Sequence, residues 1–167
     1  CQSDKNNGNG MFVSANSGVL FVVEWQKATK TRIVVDANII IAALFGSRAT
    51  LAILTSQNYS FYAPEYVISE IKRHKEEICK EAGKLSDDFD NEINALLKFI
   101  NIVDESDYIM FMEKAEEVMR KRDIKDAKYI ATALRVRADF IWTNDKDFRE
   151  QRIIKIKNTD EFIEENR

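Results

Sequence analysis

Four acidic side chains, Asp36, Glu70, Asp126 and Asp145, are the residues of this 167-residue sequence whose positions point to chemistry. Asp36 directly follows the apolar run Ile33-Val34-Val35, a costly place for a carboxylate without a partner. Glu70 falls on the inward side of an amphipathic segment, and Asp126 opens another one. Asp145 comes a few residues after Phe140-Ile141-Trp142. Carboxylates brought together repel one another, so that one takes up a proton unless something cationic joins them. An all-oxygen donor set suits a hard divalent cation, Mg²⁺ or Mn²⁺. Such an ion keeps bound waters, one of which can be activated as a nucleophile, and two ions can hold the attacking and leaving oxygens of a phosphodiester in line. The chemistry expected is hydrolysis of a phosphodiester by water, with no side-chain nucleophile.

The elements that must position these acids follow from periodicity. Ile33-Val34-Val35, ending at Asp36, reads as a buried parallel strand. A helix over about 38–45 is expected to stop near Gly46, and a second to cover about 49–56. Ser60-Phe61-Tyr62-Ala63 reads as a short strand, with Pro64 in the first turn of the helix that follows. That third helix puts Val67, Glu70, Ile71, His74 and Ile78 on one side. Ser86 reads as the N-cap of a helix with the stripe Ile93, Leu96, Leu97 and Ile100, and Ile102-Val103 as the next strand. Residues 108–119 read as one long amphipathic helix ending in Arg120-Lys121-Arg122. From Asp123 to Asp126 a helix opens with Ala127, Ile130, Ala131 and Leu134 inward. Phe140–Trp142 and Ile153–Ile156 are the last strands, and Thr159 caps a closing helix. Strands alternating with helices predict a three-layer α/β/α fold with a central parallel sheet. In such a sheet the carboxyl ends of the strands and the starts of the following helices share one edge, where ligands bind. The four acids converge there.

Composition sets the bounds. The chain is 45% hydrophobic and 32% charged, the balance of one globular domain. Its longest apolar run, Ile39 to Phe45, is far too short to span a bilayer, so no membrane role is expected. A net charge of −3 argues against a protein that coats nucleic acid, but not against a nuclease whose acids are gathered in one cation-binding cleft. Two cysteines at unrelated positions make a disulfide framework unexpected and favour a reducing cytoplasm. Residues 1–30 read as an amino-terminal extension, polar and disordered over 1–10, with a strand at Val19–Val23; residues 31–167 read as the working domain. The opening Cys1-Gln2-Ser3-Asp4 also looks like a processed lipoprotein terminus, a lesser reading than a plain chain boundary.

The motifs resemble those of PIN domains. Ile33-Val34-Val35-Asp36-Ala37-Asn38 is similar to the family's opening strand, and Ile68-Ser69-Glu70-Ile71 to the helix carrying its second acid. Asp123-Ile124-Lys125-Asp126-Ala127 is similar to its third-acid segment, and Trp142-Thr143-Asn144-Asp145-Lys146-Asp147-Phe148 to its last motif. Each motif alone is weak, whereas four in order over residues 32–165 are strong together. The resemblance implies an endoribonuclease using Mg²⁺ or Mn²⁺, often the VapC-type toxin of a toxin–antitoxin pair and usually a homodimer. The implied partners are therefore an RNA substrate and an antitoxin protein. By motif position Asp36, Glu70, Asp126 and Asp145 carry over as catalytic, metal-binding residues. Asp123 and Asp147 are extra acids ranked as alternative ligands, and Asn38 and Thr143 would orient a carboxylate or water.

Plainer explanations stand beside each assignment. Asp36 can be a turn residue capping the next helix, Glu70 a solvated helix residue, Asp126 or Asp123 a helix-start acid, and Asp145 and Asp147 a polar turn. His74, the sole histidine, has the spacing to share a metal with Glu70, but packing or solvent contact is the simpler assignment. Arg120-Lys121-Arg122 suits a helix end; with Lys72, Arg73, Lys75, Arg135 and Arg137 it would line an RNA path. Trp142 is expected in the core rather than stacked on a base. Three rival functions remain: a catalytically silent PIN-like module that binds RNA or protein, an aspartate-dependent phosphatase, and a nucleotide-binding Rossmann domain. The phosphatase pattern wants an Asp two residues after Asp36, where Asn38 stands. The Rossmann reading lacks a Gly-rich phosphate loop.

Overall fold

The computed structural model describes residues 13–16, 19–22, 30–119 and 124–165. β1 (Val13–Asn16) and β2 (Val19–Val22) pair antiparallel as a small sheet of their own, which places the strand expected near Val19. The expected disorder of residues 1–10 lies outside the described residues. The main sheet has five strands: β3 (Thr31–Val35), β4 (Tyr59–Pro64), β5 (Ile100–Val103), β6 (Phe140–Trp142) and β7 (Ile156–Lys157). All pairs are parallel, in the order β5-β4-β3-β6-β7.

Side chains alternate across this sheet. Ile33 lies opposite Phe61 and Phe140, and Val35 opposite Trp142, so these residues share one face. Val34, Tyr62 and Ile141 share the other. Helix α9 (Thr159–Glu164) covers the first face, its Phe162 ring standing 5.0 Å from that of Trp142 and 5.2 Å from that of Phe140. Helix α8 (Ile124–Val136) packs against β3 and β4 on the second, where its Leu134 and Val136 line a groove together with Tyr62. With both faces covered, the inner parts of the central strands are continuous apolar runs: Ile33, Val34, Val35 and Phe140 to Trp142 are all buried. The expected three-layer α/β/α fold is the fold observed.

The remaining helices are α1 (Ala37–Leu44), α2 (Arg48–Leu54), α3 (Tyr66–Arg73), α4 (Lys75–Ala82), α5 (Ser86–Leu97), α6 (Glu105–Tyr108) and α7 (Met112–Val118). Gly46, at φ 91°, ends α1 as expected, and the Ser47 hydroxyl caps α2.

Several expectations are corrected. Pro64 ends β4 instead of starting a helix. The helix expected through Ile78 is two helices broken at His74, whose backbone (φ −94°, ψ 6°) leaves the helical region. The long helix over 108–119 is interrupted by a 3₁₀ turn at Ile109–Phe111. Ser86 begins α5 itself, with no side-chain cap. The last strand starts at Ile156, because the Gln151 side chain accepts the Ile153 and Ile154 N–H groups and donates to the Ile154 carbonyl, holding that run in a turn. The closing helix is capped by Asn158, in a capping box with Glu161, and not by Thr159. No single helix among the described residues is long and apolar enough to cross a membrane.

Candidate active site

Chain order and strand order diverge at one place in the sheet. From β3 the chain moves to β4 and β5 on one side, then returns to lay β6 on the other side of β3. Helices leaving adjacent strands in opposite directions open a crevice at the carboxyl ends of those strands. Asp36 follows β3 at that point and Thr143 follows β6. The Asp36 N–H donates to the Trp142 carbonyl at 3.1 Å, which locks the two strand ends together.

The Asp36 carboxylate makes no side-chain cap for α1. It is only 7% exposed, and its Oδ2 accepts from the Thr143 hydroxyl at 2.6 Å and from Asn38 Nδ2 at 2.5 Å. Asn38 Nδ2 also reaches Thr143 Oγ1 at 3.1 Å, while its Oδ1 accepts the Asn144 N–H at 3.4 Å. Thr143 Oγ1 in turn accepts the Asp145 N–H at 3.0 Å, and Asp145 Oδ1 takes the Asp147 N–H at 2.9 Å. A chain of hydrogen bonds therefore runs from Asp36 through Asn38 and Thr143 to the loop after β6. Asn144 pins that loop from behind, its Oδ1 accepting from the Thr159 N–H and hydroxyl, both at 3.1 Å.

Burial raises the Asp36 carboxyl from an ordinary acid to about 7. The Thr143 hydrogen bond and the Ala37 N–H pull it back down, whereas the negative charges of Glu70 and Asp145 push it further up. Two of the other three expected acids, Glu70 and Asp145, thus lie within electrostatic reach of Asp36. Glu70 reaches it from α3, its Oε2 accepting from the Tyr129 hydroxyl at 2.7 Å. Tyr129 is buried on α8, and its phenol is raised far above its usual range by burial and by the charges of Asp36 and Glu70.

The PIN-domain family profile matches residues 34–165, which spans every element of this crevice. The chain belongs to the PIN-domain family. Solved PIN-like structures resemble it in fold at low identity. VapBC2 of Rickettsia felis, bound to a DNA fragment from its promoter, is 13% identical with a TM-score of 0.62, over 77% of this chain and 98% of that one. A toxin–antitoxin complex of Klebsiella pneumoniae is 19% identical with a TM-score of 0.57, over 76% and 97%. A Pyrobaculum aerophilum protein is 15% identical with a TM-score of 0.60, over 84% and 92%. No curated protein matches the sequence significantly.

Within this PIN domain, the sequence-expected residues fall unevenly. Asp36, Asn38 and Thr143 are in direct contact, and Glu70 and Asp145 lie within electrostatic reach of Asp36. Asp126 sits half-buried in the first turn of α8, one turn before Tyr129. Asp147 joins through its backbone while its side chain is exposed, and Asp123 lies outside the described residues, as does Arg120-Lys121-Arg122. His74 is exposed, its Nδ1 3.2 Å from Glu77 Oε2, so it takes the plainer role. Trp142 is fully buried, its indole N–H donating to Thr159.

Among the described residues, no three His, Cys, Asp or Glu side chains form a ready metal cage. The donor chemistry nevertheless fits a hard divalent cation. The acids offer only carboxylate oxygens, and the buried Asp36 carboxyl, raised to about 7 first by burial and further by the negative charges of Glu70 and Asp145, would be relieved by a cation. Tyr129 and Asn144 were missed by sequence reasoning. Tyr129 was within reach of it, because it lies three residues after Asp126 and so on the same helix face.

Proposed function

We propose that this PIN domain is an endoribonuclease that hydrolyses RNA phosphodiester bonds with Mg²⁺ or Mn²⁺, acting as the toxin of a toxin–antitoxin pair and as a homodimer. The observation that carries the reading is the buried Asp36 carboxyl, fixed by Thr143 and Asn38 at the switch point and facing the charges of Glu70 and Asp145. The toxin–antitoxin part is supported by the Rickettsia felis and Klebsiella pneumoniae neighbours, which are complexes of that kind.

Asp36, Glu70 and Asp145 would hold the cation, with Asp126 joining from α8. When bound, the cation supplies charge neutralisation at the phosphate and activates the attacking water. The chain's own residues provide orientation. Both bonds to Asp36 fall on Oδ2, so that carboxylate has one defined setting, and Tyr129 does the same for Glu70. Water attack on phosphorus breaks the bond to one sugar oxygen and leaves one phosphate-ended and one hydroxyl-ended strand. A phosphatase that uses Asp36 as nucleophile is disfavoured: the residue two positions on, Asn38, donates a hydrogen bond to Asp36 and has no proton to exchange as an acid.

Incubation of a structured RNA pool with Mn²⁺ or Mg²⁺, beside EDTA and Asp36→Asn controls, tests this directly. Cleavage lost in both controls is expected; cleavage that survives either one contradicts the reading. A catalytically silent RNA- or protein-binding module is the second reading, favoured by the lack of a ready cage among the described residues. It predicts RNA or partner binding with neither cleavage nor Mn²⁺ uptake.

A further inference from the structure

Beside the Asp36 crevice, on the same edge of the sheet, runs a groove of about 510 Å³. Glu65 and Tyr66 enter it just after β4 and Glu105 after β5, while Ser69, Lys72 and Lys128 line it from α3 and α8. Ser69 immediately precedes Glu70, and Lys128 immediately precedes Tyr129, so the groove is built on the two helices that place Glu70 and its hydrogen-bond donor. Lys128 Nζ stands 4.8 Å from the centre of the Tyr66 ring and 3.7 Å from the Glu105 carboxylate.

Among the described residues, the hydroxyl of Tyr66, which lines this groove, is buried and has no hydrogen-bond partner within the protein. Buried polar atoms in folded proteins are nearly always satisfied, and exceptions concentrate where a ligand or water completes the structure. The groove thus combines an aromatic ring, an aliphatic wall from Ile68, two carboxylates and two ammonium groups.

We propose that this groove is a nucleobase subsite, taking one unpaired base of the RNA whose neighbouring phosphodiester lies at Asp36, Glu70 and Asp145. The proposal rests on the ribonuclease reading. Two glutamates balance two lysines, so the groove has no net positive charge to draw in a phosphate. A base suits it better: it takes the place of Lys128 over the Tyr66 ring and packs on Ile68, its amino and imino groups donate to Glu65 or to the Glu105 that Lys128 releases, and its carbonyl oxygens accept from Lys72 or the displaced Lys128. Recognition of unpaired bases through stacking and edge hydrogen bonds is how proteins read single-stranded RNA.

The test is equilibrium binding by fluorescence anisotropy, with full-length Asp36→Asn protein to prevent cutting. The probes are labelled RNA octamers of adenylate, cytidylate, uridylate and alternating guanylate–uridylate. The subsite predicts Kd values that differ by about tenfold or more between the best and worst octamer. Ser69→Trp, which fills the groove, and Lys72→Ala, which strips its rim, each added to Asp36→Asn, should collapse that spread to about twofold. Thermal melting identifies a variant that is not folded, and the other then decides. A uniform Kd across octamers, or a spread unchanged in the folded variants, overturns the subsite alone. Failure to bind any octamer overturns the ribonuclease reading together with it.

Discussion

At Asp36 two unfavourable effects meet on one carboxyl, the loss of water and the nearness of Glu70 and Asp145. Its folded-state value of about 7 lies above the ordinary 3.8, so the folded protein binds the proton more tightly than the unfolded chain does. The stability contributed by this group is therefore complete below about pH 4 and is lost as pH rises through 7, to the extent of a few kcal/mol. Asp36→Asn keeps the shape and removes the charge. It should melt roughly 5 °C or more above the wild type at pH 8 and at nearly the same temperature below pH 4, as calorimetric melting would show. A destabilised variant at pH 8 would contradict the burial argument. Glu70 depends in the same way on one donor. Tyr129→Phe removes the hydroxyl that holds it and should lower kcat/KM for RNA cleavage by about tenfold to a hundredfold, read from initial rates. At this scale the sequence was legible only in part. An acid after Ile33-Val34-Val35 is conspicuous because few reasons place a carboxylate there. Tyr129 is not, because a tyrosine among the inward residues of α8 looks like core until its hydroxyl is seen on Glu70. Asn144 is hidden for a similar reason, since a turn asparagine needs no ligand to explain it.

Among the elements, the central strands were legible because a strand buried on both faces must be a continuous apolar run, and Ile33–Val35 and Phe140–Trp142 are such runs. Helix breaks were not. Apolar spacing continues from Val67 to Ile78, and the break at His74 falls among exposed residues that leave no mark on that pattern. At Ile109–Phe111 the pattern again gave no warning, because the exposed Ile109 and Met110 stand outside the inward stripe of that segment. The Ile153-Ile154 run has strand-forming residues, yet the hydrogen bonds from the Gln151 side chain hold it in a turn. The carboxyl end of α8 carries a further local conflict. Arg137 sits at φ 52°, in the left-handed position that closes a Schellman turn, with the Ala138 N–H donating to the Ala133 carbonyl at 2.9 Å. A side chain there costs about 1 kcal/mol relative to glycine. Arg137→Gly should accordingly raise the denaturation midpoint by an amount equivalent to about 0.5–1 kcal/mol, as urea unfolding measures; a loss of stability would mean that the arginine side chain contributes more than its backbone costs.

For the molecule as a whole, the decisive feature is the order β5-β4-β3-β6-β7, which sets the β3 and β6 ends side by side and gathers acids more than a hundred residues apart in sequence. That order is not written in any single motif, but it follows from which strands pair, and the family profile covers the whole set from residue 34 to 165. The β1–β2 pair forms a separate sheet, so a chain beginning at Lys30 should fold alone and melt within a few degrees of the full length; failure to fold would assign the amino-terminal residues a structural role. Metal binding offers the most direct test of the central claim, that Asp36 stays protonated near neutrality until a cation replaces the proton. Titration calorimetry of Mn²⁺ into the protein, in buffers of differing ionisation enthalpy, counts the protons released. Release of close to one proton is expected at pH 6, very little at pH 8.5, and none attributable to this site in Asp36→Asn. Absence of Mn²⁺ binding, or a proton count that is the same at both pH values and in the variant, would contradict it.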